Sequence, residues 1–218
     1  MSTYSKTKLV SKLMIGLSAL AIVISGVGFL IAQNQVGADE SSSSCTVPMF
    51  KQTDVRWKDI PYGYSDEAGR KPTDVGAAGC GPTSAAMVIR TYYGPKTWNG
   101  KRVDPSITAP LCLNGGHRTN GSGTDPSCFS YLSLKFGLKY REVNSGEAKS
   151  LLIQAKPVIM GVNSCANKRY TSGGHYIVLT KIVNGTVYIN DPNLNNTQDS
   201  VANIFGSCYA SGFYYIYP

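Results

Sequence analysis

Hydrophobic and polar positions fall into three kinds of pattern along the chain. The first is an unbroken apolar run. Leu13–Ala32 contains no charged residue, and twenty residues of helix span about 30 Å, the thickness of a bilayer's hydrocarbon core. The second is helical. Ala85, Ala86, Met87, Val88 and Ile89 follow Pro82 and lead to Tyr93, where Gly94-Pro95 stops the run. Proline is at home in the first helical turn, so the pattern predicts a buried helix over Pro82–Tyr93. Phe129, Leu132 and Phe136 recur at helical spacing and predict a second helix over Pro126–Phe136, with Gly137 as its cap. Gly146–Ala155 predicts a third, ending before Pro157. The third pattern is strand-like: Leu138–Val143, Pro157–Val162, Tyr176–Val183, Thr186–Asp191 and Phe213–Tyr217. Asn184-Gly185, between two of these, is a strong hairpin signal. Helices early and antiparallel strands late predict an α+β fold. Val47–Phe50 reads as a short extended lead-in, while Trp57–Pro72 and Lys96–Asp125 hold Gly, Pro and Asn without a period and read as loops. No internal repeat is found.

Charge and cysteine content place this fold. Three of the 21 Lys and Arg, at Lys6, Lys8 and Lys12, precede the apolar run, leaving 18 against 13 Asp and Glu. Basic residues before the run and Asp39 and Glu40 after it put the N-terminus in the cytoplasm and the rest outside. The segment is either an anchor that stays or a signal peptide cut after Ala38, where Val36-Gly37-Ala38 has the small residues that cleavage requires. Gln33–Ser44 is polar, with four serines in a row. The domains are therefore 1–38 as signal or anchor, 39–45 as a Ser-rich linker and 46–218 as one globular domain. Cys45 follows no Leu-rich lipoprotein box. The mild positive balance, without basic runs interleaved with aromatics, indicates no nucleic-acid partner.

Six cysteines are unusual for a reduced compartment. Cys112 and Cys128 flank the Gly/Asn-rich loop, so a bridge there would staple it. Cys165–Cys208 would tie the strand region to the C-terminal segment. The competing reading joins Cys112, His117 and Cys128 to zinc, and it lacks a fourth ligand at suitable spacing.

Cys80 stands between Gly79 and Gly81 at the N-terminal end of the predicted helix. The positive end of the helix dipole favours an anion there, and thiolate is the nucleophilic form of cysteine. The plainer reading is a structural or bridged cysteine. His175, in Gly-Gly-His-Tyr, heads the Tyr176–Val183 run, and Asn190-Asp191-Pro192 closes the next. The chain has only one other histidine, His117, in a polar loop that reads as solvated. Trp57, Tyr62, Tyr64 and Trp98 would serve either as a substrate platform or, as such aromatics more often do, in packing.

The block Gln52-x-Asp54-x-x-Trp57, then GCGPTSAAMV, GGHYIVL and YINDPN in this order resembles cysteine peptidase family thirty-nine, and in particular its stand-alone members. The likeness runs from about Met49 to Asn193. It implies a papain-like fold, with the Cys-bearing helix packed on a C-terminal antiparallel sheet. It also implies a catalytic set of Cys80, His175 and Asp191, with the Gln52 amide and the Cys80 N–H holding the oxyanion, a peptide or protein substrate, and no cofactor or metal. A two-residue turn at Asn184-Gly185 puts Asn190 on the His175 side of the sheet, whereas a three-residue loop puts Asp191 there. The resemblance favours Asp191. The resulting expectation is an exported or membrane-anchored thiol peptidase. The alternatives are a catalytically silent binding module on the same fold and a cell-wall peptide amidase or endopeptidase.

Overall fold

The computed structural model describes residues 46–170 and 173–218. The signal or anchor of 1–38, its apolar run, the linker and Cys45 lie outside the described residues. Among the described residues no helix is long and apolar enough to cross a membrane.

In chain order the elements are β1 (Pro61–Tyr64), β2 (Pro72–Asp74), α1 (Val75–Ala78), α2 (Cys80–Tyr93), β3 (Thr97–Trp98), β4 (Lys101–Arg102), α3 (Pro105–Asn114), β5 (Arg118–Thr119), β6 (Gly123–Thr124), α4 (Ser127–Lys135), β7 (Lys139–Val143), α5 (Ser145–Ile153), β8 (Val158–Cys165), β9 (His175–Val183), β10 (Thr186–Asn190), β11 (Gln198–Ser200), a π-helical turn (Asn203–Ser207) and β12 (Cys208–Tyr217). The predicted helices and strands are all present. The two segments read as loops are not structureless. They hold three two-stranded ribbons, β1–β2, β3–β4 and β5–β6, and the helix α3. Prolines hid α3, yet Pro105 occupies its first position and Asp104 caps it by accepting from Ser106 N.

A six-stranded sheet in the order β11-β10-β9-β8-β12-β7 forms the frame, with all its pairings antiparallel. α2 packs on one face against Ile159, Val178, Tyr214 and Ile216, together with Phe129 of α4. The other face carries Met160, Ile177, Leu179 and Phe213 against Leu152 of α5. Ten of the fourteen residues of α2 are buried, so the helix is the hub of the first core.

The β9–β10 hairpin combines the two registers that the sequence leaves open. Asn184 (φ 48°) and Gly185 (φ 75°) make a two-residue turn with both central residues left-handed, and Thr186 faces Val183 as that turn demands. The register then shifts: Tyr188 faces Lys181, but Ile189 faces Leu179. Thr180 is the extra residue of a β-bulge, with its Oγ1 3.3 Å from Tyr188 O. Beyond the bulge Asp191 shares the face of Ile177 and His175. Asn190 faces the other way and donates to Val47 O and Pro48 O, each at 3.1 Å.

Both expected disulfides are present. Cys112 and Cys128 have Cα atoms 5.5 Å apart, and Cys165 and Cys208, partners across β8–β12, 4.0 Å. The first bridge uses both sulfurs that the zinc reading needed. His117 is not simply solvated: its Nδ1 lies 2.7 Å from Ser127 Oγ and its ring packs on Tyr131.

Candidate active site

Cys80 is the first residue of α2, and its two glycine neighbours are required by space. A Cβ on Gly79 would lie 2.5 Å from Val75 O, and one on Gly81 2.6 Å from Thr124 Cβ. The short α1, capped by Asp74 accepting from Ala77 N, therefore turns directly into α2, and the β5–β6 ribbon closes against the helix start. Cys80 is unbridged and half-buried. It lines a cleft of about 740 Å³ together with Gln52, Arg118, His175 and Asn193. Its N–H belongs to the first helical turn, where no intrahelical acceptor exists.

His175 opens β9 beside that helix end. Ser84, one turn beyond Cys80, donates its hydroxyl to Tyr176 O at 3.1 Å, tying the helix to the strand at the residue after the histidine. The imidazole is almost fully buried. Its Nε2 lies 2.7 Å from Asp191 Oδ1, and the ring lines the same cleft as the Cys80 thiol, which acts on it as well. With Nε2 engaged by the carboxylate, Nδ1 is the nitrogen left for the sulfur. Burial works against a charged ring, but the hydrogen bonds to Asp191 and Cys80 prevail and push His175 up to about 9.

Asp191 is fully buried behind the histidine. Oδ1 also accepts from the backbone N–H of Asn193 and Leu194, both at 2.9 Å, and Oδ2 accepts from Asn196 Nδ2 at 3.0 Å. Burial alone would raise this carboxyl. The bond and charge of His175 and the two backbone donors hold it below the ordinary range instead.

Gln52 reaches the same cleft from a segment 28 residues before Cys80. Its N–H donates to Pro192 O at 2.8 Å, and its Nε2 to Gly76 O at 2.8 Å. A side-chain amide nitrogen carries two N–H groups, so this bond occupies one of them. Oε1 is buried with no partner.

Two further residues brace this arrangement and had no sequence motif to reveal them. Lys51 donates from Nζ to Asp191 O at 2.8 Å and to Leu194 O. Burial lowers its pKa, and the charge of Asp191 opposes this. Lys51 and Gln52 together clasp the 191–194 loop, and Trp57 Nε1 holds Lys51 O at 2.7 Å. Asn196 joins Asp191 Oδ2 to Arg169 O, in the stretch that leads to His175. Trp57 and Tyr62 are core residues, and Trp98 packs on Phe136. Tyr64 is partly exposed.

An unbridged thiol at a helix start, an imidazole between it and a buried carboxylate, and an amide in the same cleft form a constellation capable of nucleophilic attack on a carbonyl. The model of the Peptidase_C39 like family matches residues 45–214. A search of curated protein sequences returns no match. Among solved structures, a protein from Bacillus anthracis assigned as a C39-like peptidase is 16% identical, with a TM-score of 0.51 over 80% of this chain and 95% of that one. The peptidase domain of Streptococcus ComA, a bi-functional ABC transporter of a quorum-sensing pathway, is 20% identical, with a TM-score of 0.46 over 65% and 93%. The architecture is the papain-like α+β fold that the motifs imply, and such a family implies a cysteine peptidase. The chain, matched over more than half its length, belongs to the Peptidase_C39 like family.

Proposed function

We propose that the protein hydrolyses peptide bonds as an exported or membrane-anchored cysteine peptidase, with Cys80, His175 and Asp191 as a catalytic triad. The observation that carries this reading is His175, held at 2.7 Å by the buried Asp191 in the cleft that the unbridged Cys80 also lines. Cys80 attacks the scissile carbonyl as thiolate, paired with the protonated imidazole. The carbonyl oxygen takes up the negative charge and is stabilised by the Cys80 N–H and the free N–H of Gln52 Nε2. His175 Nδ1 gives its proton to the leaving amine, which departs and leaves a thioester. Water, deprotonated by the same nitrogen, then releases the acid and restores the thiol. Asp191 holds the ring in orientation and stabilises its charge. The lysine-flanked apolar run before the domain and the two disulfides support a location outside the cytoplasm.

The test is hydrolysis of fluorogenic peptides and muropeptides by the full chain. Turnover should fall by about 10³-fold or more in Cys80→Ala and in His175→Ala. Turnover surviving in Cys80→Ala would exclude the mechanism. A wild-type protein inert on both substrate sets would favour the silent binding module instead.

A further inference from the structure

The cleft wall carries a cation that this mechanism does not use. Arg118, the first residue of β5, is half-buried in the wall. Its Nε donates to Tyr62 O and its Nη2 to Tyr64 O, both at 3.1 Å, and its Nη1 donates to Thr119 O. The guanidinium sits 5.5 Å from the Tyr62 ring centroid. Gly63, at φ 76°, makes room for the stem, since a Cβ there would lie 2.9 Å from Arg118 Cγ. Three carbonyls and one ring thus fix the plane of the group.

None of these partners carries a negative charge. Among the described residues, no carboxylate lies within ion-pair distance of Arg118. Asp125, the carboxylate of the wall, is turned onto Ser127 N at 2.8 Å. Leaving a half-desolvated charge uncompensated is costly. A guanidinium has five N–H groups, and the three carbonyls occupy three of them. The two N–H groups that remain, one on each Nη, lie in one fixed cationic plane, and a carboxylate is the group that such donors recognise. Apart from Arg118 itself, Asp125 and the catalytic His175 the wall is uncharged, and it is small at Ala77, Ala78, Gly123 and Gly173.

We infer that the cleft selects peptides bearing a carboxylate close to the scissile bond and that Arg118 is the residue that binds it. This rests on the peptidase reading above. The carboxylate has two possible sources, an Asp or Glu side chain and a peptide C-terminus, and the recognition chemistry is the same for both.

The experiment uses the full chain carrying Cys80→Ala, so that peptides bind without turnover. Calorimetric titration compares Glu with Gln at each position of a short peptide, and the C-terminal acid with the amide. One such pair should differ by about ten- to a hundredfold in affinity, the scale of a charge-assisted hydrogen bond, and which pair differs identifies the source. The ratio within that pair should collapse to about one when Arg118→Gln is added. It should shrink but stay above one with Arg118→Lys, which keeps the charge and loses the fixed plane. A ratio of one for every pair in the first protein overturns the inference, and so does a ratio that survives Arg118→Gln or equal weakening of both members. Wild-type hydrolysis of the same peptides separates the two levels. Cleavage without acid preference removes the Arg118 inference and leaves the peptidase. Peptides neither bound nor cleaved overturn both.

Discussion

At the scale of single residues, the His175–Asp191 pair makes stability depend on pH in a defined direction. His175 is raised from its ordinary 6.5 to about 9. Its contribution is therefore fully present below about pH 6.5 and disappears as pH rises through 9. Asp191 is lowered, so its contribution is present above the ordinary carboxylate range and disappears as pH falls through its folded value. Chemical denaturation should show the pair's stabilisation highest between about pH 4 and 6.5. It should then decline by at most about 3 kcal/mol towards pH 9, and His175→Ala should flatten that decline. A profile flat from 6.5 to 9 in the wild type would contradict it. The placing of His175 on Asp191, in the cleft that Cys80 lines, was legible because their local motifs are distinctive. Lys51 and Asn196 were not, because they act by long-range bonds to backbone carbonyls and to one carboxylate oxygen, which leave no trace in residue spacing.

At the scale of elements, the Thr180 bulge decides which of two neighbouring residues meets the histidine. Its signal was present: Ile177, Leu179 and Ile182 all join the second core, and the three-residue step from Leu179 to Ile182 breaks strand alternation. A bulge is the way to keep both packed on one face. Deleting Thr180 forces a choice between turning Ile182 to the opposite face and moving Asp191 away from His175. Peptide turnover should then drop by about a hundredfold or more, whereas Thr180→Gly, which keeps the extra residue, should retain it. Full turnover by the deletion variant would show that the register does not depend on the bulge. α3 was missed for the opposite reason. Pro105 and Pro110 read as breakers, although the first sits where proline fits and the second is accommodated within the helix. The two-residue strands of the ribbons are too short to show any period.

At the scale of the whole molecule, helices preceding an antiparallel sheet were legible from the order of periodicities. The sheet order was not, since β12 inserts between β8 and β7 through contacts far apart in sequence. The bridges span 16 and 43 residues, which corresponds to about 3 and 4 kcal/mol in the chain-entropy treatment. Paired Cys→Ala replacements should lower stability by up to these amounts in thermal unfolding, with the larger loss for Cys165 and Cys208. The Cys112–Cys128 pair also encloses the β5–β6 ribbon that lines the cleft, so its removal should raise KM more than it lowers kcat. An unfolding midpoint unmoved by reductant would contradict a structural role for either bridge.

The central claim is that His175 activates Cys80, and the most direct measurement is the rate at which iodoacetamide alkylates Cys80 across pH, in the wild type and in His175→Ala. The account predicts rapid alkylation near neutral pH in the wild type, because the thiolate is held by the protonated ring. In His175→Ala it predicts a fall of about tenfold or more at the same pH, with reactivity returning only as the solution becomes alkaline. Equal rates in the two proteins at neutral pH would contradict it.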